Sequence, residues 1–129
     1  MKKVIDILVV LGITPLFLLG AVNVIAPSKT FALYGIEPLG ILTYSTLRGA
    51  IGGVLIGGGV LMLIGLITKN KNWYQSALIL ISTILICRLV SVIFDGWTNE
   101  LLPAFLTELY IVVVMFFAAN QLNSSKKKF

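Results

Sequence analysis

Four ionisable residues are placed to do chemistry. Arg48, Arg88 and Glu108 lie inside stretches otherwise apolar enough to cross a membrane, and Asp95 lies at the edge of one. A charged side chain in hydrocarbon costs roughly 2.5–3.5 kcal/mol on insertion scales, so such residues face the protein interior, find partners and by default mark functional positions. Two guanidiniums and two carboxylates balance when all four ionise. Arginine also presents a planar fork of donors that matches a carboxylate or phosphate better than lysine does. The chemistry on offer is therefore recognition of a polar or anionic group in a partly dry setting. Glu108 is also the residue that a proton-coupled carrier would use.

Other chemistries are pruned by composition. The chain has no histidine, which excludes imidazole metal sites, histidine-ligated haem and Ser-His-Asp catalysis. Cys87 is the single cysteine, so an internal disulfide and a Cys-x-x-Cys pair are both impossible. Its neighbour Arg88 points about 100° away on a helix, which predicts a packed, inert thiol. Gly57-Gly58-Gly59 lacks the Gly-Lys-Ser/Thr ending of a phosphate loop. No cofactor is implied, and the reading is non-enzymatic.

The elements that must position these charges follow from hydropathy. Of 129 residues 58% are hydrophobic and 12% charged, and the mean hydropathy is +1.03, far from a soluble domain, where roughly 25% of residues are charged. About 20 apolar residues span a bilayer as a helix, and residues 4–25, 41–67, 77–94 and 101–119 qualify. The expected architecture is all-α, one transmembrane domain over residues 1–129 built as a four-helix bundle. Continuous apolar runs such as Val54-Leu55-Ile56 exclude the alternating pattern of a β-barrel. Lys2 and Lys3 before an apolar run resemble a secretory signal. Asp6 within that run and Pro27 after Ala26 predict a retained span instead.

Lysines set the expected orientation. With both termini cytoplasmic, Lys2, Lys3, Lys69, Lys71, Lys126, Lys127 and Lys128 lie inside and Lys29 alone lies outside. Trp73 and Tyr74 then mark the inner border, and Trp97 falls in the last outer loop. The net charge of +5 is explained by topology and anionic lipid and needs no nucleic acid. The expected location is a membrane with its cytoplasmic side at both termini, with membrane lipids as neighbours.

At about 1.5 Å per residue, Arg88 sits roughly 9 Å below the outer border and Glu108 roughly 10 Å. Arg48 also falls in the outer half, so three helices bring charge to one depth. Helical phase groups Arg88, Ser91 and Asp95 on the third helix. It likewise groups Ser45, Arg48, Gly52 and Gly59 on the second, and Ala104, Glu108, Met115 and Ala119 on the fourth. Arg48, Arg88, Asp95, Glu108, Ser91 and Ser45 are thus expected to form one polar network. Gly49, Gly52, Gly53, Gly57 and Gly59 are expected to pack helices closely, with Gly49-Gly53 and Gly53-Gly57 as small-xxx-small pairs. A dimer seam, or room for a ligand tail, are the alternatives for that ridge. Pro27 to Gly40 reads as a short interfacial helix ended by Gly35. Pro15 is a tolerated disturbance of the first span.

Ala26-Pro27, Arg48-Gly49-Ala50-Ile51-Gly52-Gly53, Arg88, Asp95-Gly96 and Glu108, in this order, resemble a family of small uncharacterised bacterial four-helix membrane proteins distantly similar to the DoxX group. The resemblance covers about Gly20 to Asn120, supports the fold and the charged positions, and implies a bacterial cytoplasmic (inner) membrane as the location. Some relatives in the broader group are linked to thiol or quinone redox systems, for which this chain lacks a cysteine pair.

The leading expectation is a binding protein for a lipid or small amphiphile, with the arginines meeting its head and the acids balancing them. An accessory or structural subunit of a membrane complex or a homo-oligomer, with charges serving assembly, is the alternative. In that case the ion network only fixes helix register and Arg48 snorkels to the interface. A proton-coupled carrier is the third.

Overall fold

A backbone segment in hydrocarbon has no water to satisfy its N–H and C=O groups, so a helix that satisfies them internally is the accessible solution for each apolar run. The computed structural model, which describes residues 2–35 and 37–126, contains five helices and no strand among those residues. They are α1 (Lys2–Ile25), α2 (Pro27–Tyr34), α3 (Ile41–Thr68), α4 (Lys71–Asp95) and α5 (Leu102–Lys126). α1, α3, α4 and α5 are each long and apolar enough to cross a membrane. Lys127 and Lys128, counted in the charge bias, lie outside the described residues.

Local chemistry sets the ends. α1 continues through Pro15. α2 starts on Pro27 and stops at Gly35, whose left-handed φ of 63° lets its N–H reach the carbonyls of Phe31 and Ala32. Asn70 caps α4 by accepting from the Asn72 N–H at 3.0 Å. α3 is regular over Ile41–Thr46 and Gly53–Thr68 but is a π-helix over Leu47–Gly52. Such wide turns are rare and concentrate at functional positions.

The four long helices alternate in direction. α1 packs on α3 and α5, and α4 packs on α3 and α5. Gly20 faces Ile56 and Gly12 faces Met62, which sets α1 antiparallel to α3. Gly65 lies against Tyr74 and Gly58 against Ile81, which does the same for α3 and α4. Lys69 joins Asp6 in a 2.7 Å ion pair, bringing the start of α1 to the end of α3. Tyr110 donates to the Leu8 carbonyl at 2.9 Å and ties α5 to α1. Tyr110→Phe is expected to lower the unfolding free energy by about 0.6–1 kcal/mol, a loss that steric trapping in bicelles would read; an unchanged value would make this bond incidental.

Burial is lopsided. The buried cluster comprises Val9, Ile13 and Leu16 of α1, Met62 of α3, Tyr74, Ala77 and Ile81 of α4, and Ile111, Val114, Met115, Ala118 and Ala119 of α5. All of these lie toward the end that carries Lys69 and Lys71. In the opposite half, close packing continues between α1, α2 and α3 through Gly20, Asn23, Phe31, Leu47 and Gly52, while no residue of α4 beyond Ile81 is fully buried. Ile93 and Phe94 are 78% and 83% exposed. Apolar exposure on that scale fits a lipid-facing surface, consistent with an integral membrane protein.

Candidate functional site

α4 and α5 form an antiparallel pair, closed by the turn at Gly96 and a 3-10 turn at Asn99–Leu101. That pairing sets Arg88 opposite Glu108. The Arg88 Nε donates to Glu108 Oε2 at 2.9 Å and Nη2 donates to Oε1 at 2.6 Å. The two side chains are 26% and 14% exposed. A fork-to-fork pair of this kind uses both carboxylate oxygens and fixes the register of the two helices. One turn further out, the Ser91 hydroxyl donates to Asp95 Oδ2 at 2.8 Å on the surface of α4.

Arg48 stands apart. Its Nε donates to the Val24 carbonyl at 3.0 Å. Val24 is in the last turn of α1, where carbonyls lack helical partners and a cation is favourable. No carboxylate among the described residues lies within ion-pair distance of Arg48. Its guanidinium lines a cleft of about 610 Å³ together with Ile41, Tyr44, Ser45 and Gly49. The Tyr44 ring is held edge-on by Phe31 of α2, with centroids 5.1 Å apart. α2 thus braces the cleft.

The expected single network therefore divides in three. Arg88 and Glu108 pair with each other, Ser91 pairs with Asp95, and Arg48 and Ser45 share a separate cleft. The reason lies in the π-helix. A phase reading at 3.6 residues per turn places Ser45 with Gly52 and Gly59, but the wider turn over Leu47–Gly52 shifts the segment before it. Ser45 is exposed while Gly52 and Gly59 are buried. On α5 no such break intervenes, and Met115 and Ala119 are buried on the face that carries Glu108.

The glycines divide as well. A Cβ at Gly52 would come within 2.7 Å of Val24, and one at Gly59 within 3.2 Å of the Phe17 ring, so these two allow close approach to α1 as expected. Gly49, Gly53 and Gly57 do not pack helices: a Cβ at Gly49 or Gly57 would meet nothing within 4 Å, and one at Gly53 only the Arg48 carbonyl oxygen at 3.9 Å. α3 spends its other side on α1, so this stripe looks outward. Cys87 is exposed rather than packed, because α4 is little covered beyond Ile81.

Sequence reasoning missed Gly12, Gly20 and Gly65, the partners of Met62, Ile56 and Tyr74. Small residues eight apart in the first span were the available signal for Gly12 and Gly20. Asn23 was also missed. It is 6% exposed and donates to the Leu19 carbonyl at 2.7 Å, while its Oδ1 is buried without a partner among the described residues. An asparagine inside an apolar run was its only mark.

A family model described as a domain of unknown function, DUF4345, matches residues 4–119. No curated protein and no solved structure matches the chain.

Proposed function

Given that the chain belongs to the DUF4345 family of unknown function, we propose that it is a non-enzymatic integral membrane protein that binds a lipid or small amphiphile. The binding site lies in the outer half of a four-helix bundle whose termini both face the cytoplasm of a bacterial cell. One observation carries this reading: the Arg48 guanidinium is held by a backbone carbonyl and has no acidic partner among the described residues, and Arg48 lines an open cleft with Tyr44 and Ser45. A cation fixed beside apolar surface, with hydroxyls next to it, suits an anionic or polar head. Of the charges expected on the outer side, Arg48 is then the head contact, with Ser45 beside it.

Arg88 and Glu108 serve differently. Their mutual closure supports the second reading, an accessory subunit whose charges serve assembly, for that half of the polar set. Native mass spectrometry of wild type and Arg48→Ala separates the two readings. A discrete small mass retained by wild type and lost in the variant, with thermal stability largely kept, is the expected result. The same lipid complement in both proteins, or another polypeptide retained by both, would replace binding with the subunit reading.

A further inference from the structure

The Arg48 cleft supports a narrower statement, which rests on the reading just proposed. We infer that its occupant is a membrane lipid with a net-anionic phosphodiester head, seated on the outer flank of α3 with one acyl chain along the glycine stripe. Three observations converge on this placement.

The first is the free hydrogen-bonding capacity at the head of the cleft. With Nε committed to Val24, the two terminal guanidinium nitrogens of Arg48 make no hydrogen bond among the described residues. That edge is the planar fork that engages phosphate oxygens in pairs. The Ser45 hydroxyl is likewise unbonded among the described residues, although its neighbour Thr46 donates back to the Leu42 carbonyl at 2.9 Å. The hydroxyl of Tyr44, whose ring Phe31 positions, completes the set. One fixed cation and two open hydroxyls, with no carboxylate lining the cleft among the described residues, select a net negative head.

The second is the surface that runs away from it. Gly49, Gly53 and Gly57 follow Ser45 along α3 at four-residue steps, and a Cβ at Gly49 or Gly57 would meet nothing within 4 Å, one at Gly53 only the Arg48 carbonyl oxygen at 3.9 Å. Among the described residues no other helix packs against these three glycines, so a slender chain can lie on α3 there.

The third is length. Gly49 to Gly57 extends roughly 12 Å at 1.5 Å per residue, most of the depth of one leaflet of a hydrocarbon core roughly 30 Å thick. The glycine stripe begins at Gly49, which also lines the charged cleft, and leads away from it along α3, the course of a lipid of the outer leaflet. A second copy of the chain would also fit a small-residue stripe, but it would bring another Arg48 cation to the same end without a counter-charge.

The test uses the whole chain in nanodiscs containing equal amounts of phosphatidylglycerol and phosphatidylcholine, with lipids released in native mass spectrometry counted by class. Wild type is expected to retain phosphatidylglycerol at least about tenfold over phosphatidylcholine. Arg48→Gln is expected to abolish that preference, and Ser45→Ala to weaken it. Gly53→Leu is expected to lower retention of both lipids by at least about tenfold with no fall in melting temperature, because among the described residues a Cβ there meets only the Arg48 carbonyl oxygen, at an ordinary 3.9 Å. Retention of a neutral amphiphile, or equal retention of both lipids with loss on Arg48→Gln, would overturn the anionic assignment and leave the broader reading standing. If Gly53→Leu dissociated a dimer and left bound lipid unchanged, the stripe would be a seam between copies and the placement of the chain would fall. No ligand on wild type would remove both readings.

Discussion

Glu108→Ala is expected to destabilise the protein by about 3 kcal/mol, whereas the double variant Arg88→Leu/Glu108→Leu is expected to recover most of that loss. The single change strands the Arg88 guanidinium, 26% exposed, in an apolar stretch where an unpaired arginine costs roughly 2.5–3.5 kcal/mol. The double change removes both charges and leaves apolar contacts of similar volume. Unfolding free energies from steric trapping, measured in one bicelle composition, would show the order wild type, double, single. If the double variant were the worst, the pair would be contributing net stability beyond compensation for its own desolvation. If neither changed stability, water would already reach the pair freely.

Gly20→Val is expected to cost about 2 kcal/mol or more, near the upper part of the usual range for forcing bulk into a packed contact. Even the first carbon of the new side chain would sit 2.7 Å from Ile56 Cγ1 and 3.2 Å from both the Gly52 oxygen and the Ile56 nitrogen. A side chain can turn away, but backbone atoms cannot, so α1 and α3 must separate. Gly57→Ala supplies the contrast. Its Cβ meets nothing, and alanine is about 1 kcal/mol the better helix former, so stability is expected to hold or rise slightly. The two variants compared by thermal unfolding in the same detergent test whether the outward and inward glycines are assigned to the correct sides. Equal losses would mean that the Gly57 side is covered by something outside the chain.

The features that follow from hydropathy were legible in the sequence. The expected spans at 4–25, 41–67 and 77–94 fall within α1, α3 and α4, and 101–119 begins one residue ahead of α5, because an apolar run of that length in lipid has no alternative to a helix. Pro27 and Gly35 likewise bounded α2, since each acts through its own backbone. Equal depth put Arg88 and Glu108 into one expected network with Arg48 and Asp95, of which the Arg88–Glu108 pair is the part that forms. Arg48 did not join it, and the reason was not local. Its phase depends on the six π-helical residues from Leu47 to Gly52, and no 3.6-residue reading reveals a change of helical period that packing against α1 selects. The same limit misplaced Gly49, Gly53 and Gly57. Spacing shows which glycines share a face, but only the neighbouring helix decides whether that face is covered.

The wide turn between Leu47 and Gly52 also bears on chain length. A π-helix carries about one residue more than an α-helix of the same span. Removing a residue from a regular membrane helix would swing everything on one side of the deletion by about 100° and unseat its packing. Here a deletion can instead be absorbed by the surplus residue, relaxing the turn to an ordinary one. In α3, therefore, this segment is where a relative of this chain has room to lose a residue without losing the fold, and one that did so would present a different side chain at the mouth of the cleft.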